Sequence, residues 1–495
     1  MVRRGGMEQV ELLDADGDGS DVEHDPAPAR PGRVRWLVVG AAAVVLSLVG
    51  TQWVVDARED AAVARLAAVP GVLPEIGDEL TVARVISPDQ VSTLWNGFTT
   101  AGGAMASLVV AADGSQAVTA IDPLTSETVW STPLLGPNAD RAAARDSSYG
   151  GWCSSDAVGG EAAELAVCLA SDGFVRYGAD GTEERLQATT TRAVVLDTAD
   201  GRVVHELEVG DAARIAVIPG LLLVGLGAPQ QGIEVVAHDL RTGDERWRYR
   251  TPAVTDGPPD DELAQSWHIA RAGDHAALYD GVTLRLLSRT GSLVRDDLRG
   301  SGDGFGSGPD QLTGNLAVTT YDGGTKTTRL LTADADPAGD VVVEGSLVPM
   351  TVDDGSVPGL VLTTVDHLHA WDRATGDEVW ESDLLPLTGV VVARGRVVLA
   401  TATSVVALDG RTGHVVWEQQ TPQSAAGFLA TDARDVLVPT PADGVGGAAG
   451  ITGYDLVSGE RTRHVAYPEG VSEVWQVGRL LIGFSTGPEE VTLLE

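Results

Sequence analysis

One short pattern recurs along this chain and narrows what it can fold into. Three copies are complete: Ala237-His-Asp239-Leu-Arg-Thr-Gly243-Asp-Glu-Arg-Trp247, Ala370-Trp-Asp372-Arg-Ala-Thr-Gly376-Asp-Glu-Val-Trp380 and Ala407-Leu-Asp409-Gly-Arg-Thr-Gly413-His-Val-Val-Trp417. Weaker copies run from Asp122 to Trp130, with Ser126 in place of the glycine, and through Asp197/Gly201/His205 and Asp455/Gly459/Arg463. Two more, Leu287/Gly291 and a degenerate one near Asp334/Gly339, keep the rhythm and lose the motif aspartate. The motif reads as strand, tight turn, strand. The aspartate can cap its own turn, the glycine supplies positive φ, and the tryptophan offers a large apolar plate with an N–H handle.

Two further short apolar strands precede each copy, as in Gly389–Arg394 followed by Arg396–Thr401. Four strands per unit cannot bury their faces alone, but units stacked in a ring can. Successive motifs lie 37–48 residues apart, except for a gap of 75 between Asp122 and Asp197.

The A-x-D-x-x-T-G-x-x-x-W pattern resembles the PQQ-type (pyrroloquinoline quinone-like) β-propeller repeat. That repeat occurs in quinoprotein alcohol dehydrogenases and in the propeller lipoprotein of the outer-membrane β-barrel assembly complex. The resemblance covers residues 79–495 and implies an all-β fold, a PQQ-type β-propeller. The family's usual count is eight four-stranded blades, and eight is the expectation here, with nine as the alternative. Eight motif units are followed by a half-unit, Arg479–Gly483 and Glu490–Leu494, that stops before its outer strand. The family closes its ring with an N-terminal strand, and Glu79–Val85 is the candidate.

Residues 36–55 (WLVVGAAAVVLSLVGTQWVV) carry no charge and would span ~30 Å as a helix, the thickness of a hydrocarbon core. Arg30, Arg33 and Arg35 precede the segment and Asp56, Arg58, Glu59 and Asp60 follow it. The positive-inside rule therefore predicts a single-pass anchor in the cytoplasmic membrane, N-terminus inside and propeller outside. Residues 1–35 read as a disordered acidic cytoplasmic tail, and residues 56–78 as stalk and linker with a short helix over 57–69. Asp14-Ala-Asp16-Gly-Asp18-Gly19 matches the first half of a calcium loop. Position 12 is Asp25 rather than glutamate, and Pro26 and Pro28 block the exiting helix, so a solvated tail is expected.

The net charge is −37 and Lys326 is the single lysine. So acidic a chain repels phosphate backbones, which argues against nucleic acid as a partner. The residue bias suggests a GC-rich, actinobacterial genome. Cys153 and Cys168 fall on adjacent strands of the second unit, where an extracytoplasmic disulfide is expected.

Candidate chemistry is sparse. In the quinoprotein dehydrogenases a disulfide between adjacent cysteines lies on the quinone, and no adjacent pair exists here. His367-x-His369 places two imidazoles on one face of a strand, an arrangement able to ligate a metal, but the sequence offers no third ligand beside them. Asp353-Asp354 and Asp260-Asp261-Glu262 read as solvated acidic loops, although Pro258-Pro259 before the second suggests a top-face loop, 258–262, that could contact a partner. The expectation is therefore no catalytic residue, no cofactor and no metal. The chain is read as a membrane-anchored protein-binding scaffold with an unidentified envelope partner. An extracytoplasmic small-molecule or glycan sensor is the alternative, and a quinoprotein dehydrogenase comes third.

Overall fold

The computed structural model describes residues 52–53, 56–143, 147–148, 151–157, 162–178, 182–211, 213–254, 267–299, 305–309, 315–421, 428–440, 449–485 and 490–495. The chain divides into two units, Met1–Ala62 and Val63–Glu495. In the first, nearly all of the 36–55 segment lies outside the described residues, as do the 1–35 tail with its half calcium loop and, further along, the 258–262 loop. No helix among the described residues is long and apolar enough to cross a membrane.

The second unit is a β-propeller of nine four-stranded blades. Blades 1 to 8 run in chain order. Their third strands, whose ends carry the motif, are Gln116–Ile121, Thr191–Asp197, Gly232–Asp239, Thr283–Leu287, Thr325–Leu330, Leu368–Asp372, Ser404–Asp409 and Gly450–Asp455. Blade 9 takes three strands from the C-terminus, Val471–Val477, Leu480–Ser485 and Val491–Leu494. Its outermost strand is Val82–Ile86, antiparallel to Val491–Leu494 with Val85 opposite Thr492. The expected N-terminal closing strand is thus present, but the expected count of eight gives way to nine. Each motif unit, degenerate ones included, builds a blade of its own, and the C-terminal half-unit completes a ninth.

Period-two alternation sends the two faces of each inner strand into different neighbours. In blade 7, Val391, Ala393, Val398, Ala400, Val405 and Ala407 pack with blade 8. The intervening Val390, Val392, Val397, Leu399, Val406 and Leu408 pack with blade 6. Both faces are apolar because both are covered, which is why Leu165–Ser171 is buried along its whole length. The outer strands splay at the rim, and Glu245–Arg250 alternates accordingly. The seam between blades 5 and 6 is thinly filled, its buried core being Ala317, Leu330 and Val361.

Two departures from regularity follow from the sequence. The 75-residue gap holds an inserted hairpin, Phe174–Tyr177 and Glu183–Leu186, which pairs with Ser147–Ser148 beside blade 2. Met350–Asp353 adds a fifth, parallel strand to the inner edge of blade 7. Residues 63–78, read above as stalk and linker, pack on the ring. A helix over 56–67 ends before Pro70. Leu66 and Val72 enter the core of blades 7 and 8, and Leu73, Ile76 and Leu80 that of blades 8 and 9. Gly71, at φ +83°, lies so near the Thr351 carbonyl that a Cβ would sit 2.4 Å from it.

Candidate functional site

The motif residues hold the ring together. Asp122, Asp239, Asp372, Asp409 and Asp455 each accept two backbone N–H groups of their own turn, and Asp197 accepts one from Ala199. Gly201, Gly243, Gly376, Gly413 and Gly459 all have positive φ, as does Ser126 at +49° in the first copy. The tryptophans reach across the seams. Trp130, Trp380 and Trp417 donate their indole N–H to the carbonyls of Thr198, Gly410 and Leu456 in the following blade, each one residue after the aspartate there. Trp247 donates to the Arg289 carbonyl in the fourth blade, which lacks the motif aspartate. Where tryptophan is missing, His205 contacts the Leu240 carbonyl at 3.1 Å. Arg295, which the motif search did not single out although it lies eight residues after Leu287, forms a paired contact with Asp340. Arg463 pairs with Asp432 and Asp435. The Arg295–Asp340 pair staples blade 4 to blade 5 in place of the aromatic, whereas the Arg463 pairs lie within blade 8, from which Arg463 also donates to the Ile76 carbonyl.

Cys153 and Cys168 are directly opposite on the first two strands of blade 2 and form a disulfide. Asp353 and Asp354 are not a solvated loop. Asp354 Oδ2 accepts the N–H of Arg394, a residue at φ +52°, and Asp353 is half-buried. Burial, together with the adjacent Asp354 charge, raises the Asp353 pKa above the ordinary carboxylate value.

Recesses open on the ring among the described residues. A cavity of about 330 Å³ lies at the thin seam, bounded by Ser307, Thr319 and Tyr321 of blade 5 and by Leu347, Met350 and Val361. A more polar one of about 440 Å³ lies beside the inserted hairpin, between Asn138, Asp172, Phe174 and Thr189.

Beside the histidine pair stands a third donor side chain that the linear sequence did not reveal. His369 lies opposite Glu381 on the outer strand of blade 6. His367, His369 and Glu381 each place a donor atom within 4.8 Å of the others. The imidazoles stack, with centroids 4.6 Å apart, and Trp371 stacks behind His369 at 5.9 Å. Glu378 Oε1 contacts His369 Nδ1 at 2.6 Å. Leu368 and Ala370, the intervening residues, point into the blade 6–7 core. Trp371 packs at the seam with blade 5, so the histidines lie on the face turned toward that blade, where coverage is incomplete.

The family model for the outer membrane protein assembly factor BamB matches residues 55–265 and 310–482. The chain belongs to that family. BamB from Moraxella catarrhalis is similar at 15% identity, covering 84% of this chain and 97% of that one with a TM-score of 0.37. A eukaryotic initiation factor is similar at 12% identity, over 83% of this chain and 93% of that one, with a TM-score of 0.45. Quinohemoprotein alcohol dehydrogenase from Comamonas testosteroni is similar at 13% identity, over 86% and 78%, with a TM-score of 0.35. No curated protein matches the sequence. The BamB-family assignment agrees with the PQQ-type repeat read from the motif.

Proposed function

We propose that this chain is a non-catalytic scaffold that binds a protein partner of the cell envelope. In this reading residues 36–55 anchor it in the cytoplasmic membrane, with residues 1–35 inside and the ring outside. The observation that carries the reading is an exposed aromatic cluster where the ring closes. Trp95, on the helix Pro88–Asn96, is 42% exposed, and Trp475 of blade 9 is 37% exposed. Their rings lie 6.3 Å apart, with Phe484 5.8 Å from Trp95. Exposed indoles in mutual contact are the kind of rigid anchor that protein interfaces concentrate.

Four further points support it. The cross-strand disulfide suits an oxidising compartment. Both cysteines of the chain are engaged in it, which leaves none for the adjacent pair of the similar dehydrogenases. The motif aspartates are occupied by their own turns. BamB is by its description an assembly factor, which accords with scaffolding.

The test is a photo-cross-linking residue placed at position 95 or 475 of the full-length protein in cells, with position 129 on the rim as control. A discrete adduct with one envelope protein from 95 and 475, absent from 129, is expected. The same spread of adducts from all three positions, or lipid adducts alone, would overturn the reading.

A further inference from the structure

We propose that His367, His369 and Glu381 form a binding site for Zn²⁺ or a similar late first-row divalent metal on blade 6, with Glu378 as the positioning residue for His369. Three features of the geometry point to a metal rather than to a packed surface.

The first is the set of donors. Two imidazole nitrogens and one carboxylate oxygen are the ligand types that suit zinc, and they leave a fourth position for water. His369 and Glu381 come from two hydrogen-bonded strands and stand in direct register, and His367 lies in the bend that leads into the first of them. In a tetrahedral zinc site, with bonds of about 2.0–2.2 Å, neighbouring donors stand roughly 3.3 Å apart. The donors here lie within 4.8 Å, and His367 Nε2 is 3.8 Å from Glu381 Oε2. Rotation of the exposed Glu381 side chain closes that distance without backbone movement.

The second is the stack. His367, His369 and Trp371 present their faces to one another, so the imidazoles offer their nitrogen-bearing edges to the outside. That arrangement suits coordination and withholds the ring faces a sugar would need. The third is Glu378. Its carboxylate takes Nδ1–H of His369, which leaves the Nε2 lone pair free, and a carboxylate behind a ligating histidine is a recurrent support of metal sites. The net charge of −37 adds a general attraction for cations.

The full-length protein, purified in detergent with a tag that contains no histidine and stripped with chelator, is titrated with Zn²⁺ and then with Co²⁺. One equivalent of Zn²⁺ should be lost in the His367→Ala/His369→Ala double variant, with circular dichroism and thermal midpoint unchanged because both side chains are partly exposed. Glu381→Ala should weaken binding strongly, and Glu378→Gln roughly 10-fold to 100-fold. Co²⁺ should develop the intense visible bands of a four-coordinate ion in the wild type and not in the double variant. Equal zinc stoichiometry in the wild type and the double variant, or Co²⁺ spectra identical in the two, would overturn the proposal.

Discussion

Trp380 of blade 6 donates its indole N–H to the carbonyl of Gly410 in blade 7, 3.0 Å away. The ring also covers Gly413, where a Cβ would sit 2.8 Å from Cδ2. One side chain thus joins hydrogen bonding, apolar packing and turn conformation across a seam. Trp380→Ala should cost about 3–5 kcal/mol, the range for large-to-small changes at buried aromatic positions. Trp247→Ala should cost less, since that ring is only half-buried. Denaturant unfolding of the two variants orders them.

Two glycines of blade 7 separate packing from backbone strain. Gly395 has φ +74° and open space around its Cβ direction, so Gly395→Ala should cost about 1–2 kcal/mol from conformation alone. Gly413, at φ +70°, carries the same strain and must also displace Trp380. Gly413→Ala should be clearly the worse of the pair. Equal losses would mean that the indole moves aside freely.

The Arg295–Asp340 pair staples the fourth blade, which lacks the motif tryptophan, to the fifth. Both side chains are 1% exposed, with N–O distances of 2.6 and 2.9 Å. Asp340→Ala should cost about 3–5 kcal/mol because the guanidinium would lose its main buried partner. Replacing both residues by Met and Leu should recover most of that loss, a comparison read from one set of urea curves.

Reduction of Cys153–Cys168 opens a loop with a sequence separation of 15 residues. The chain-entropy model gives about 3 kcal/mol for that closure. A Cys153→Ser/Cys168→Ser variant and the reduced wild type should show the same lowered midpoint.

Acid should weaken the ring through its turns. Arg246 and backbone donors hold the Asp239 carboxyl at about 2, and Asp122 and Asp409 are also lowered by hydrogen bonds within their turns. A depressed folded-state pKa gives stability that is present above the unfolded value near 4 and lost as pH falls toward 2. Asp353 has the opposite sign, since its raised pKa means that ionisation opposes folding. Asp353→Asn should therefore raise the melting temperature at pH 7, and the gain should vanish below about pH 4. Thermal melts across pH for both proteins check the sign.

The sequence by itself determined the repeat and the turn chemistry and offered the candidate for the ring-closing strand, while the cysteine pairing was settled by the structure. The repeat and its turns are written in local spacing, with Asp, Gly and Trp at offsets of zero, four and eight, and in runs of alternating apolar residues. It left the blade count open. Tertiary structure decided on nine, because a degenerate unit such as Thr325–Leu330 is a blade only by virtue of its pairing partners. Tertiary structure also decided the staple at Arg295, the pairing of Arg463 within blade 8, the packing of residues 63–80 on the ring, and the carboxylate of Glu381 beside His367 and His369. These relationships join residues on different strands or blades. Cross-strand register, as in His369 opposite Glu381, follows from where a turn sets the pairing, and no periodicity within a single strand encodes it.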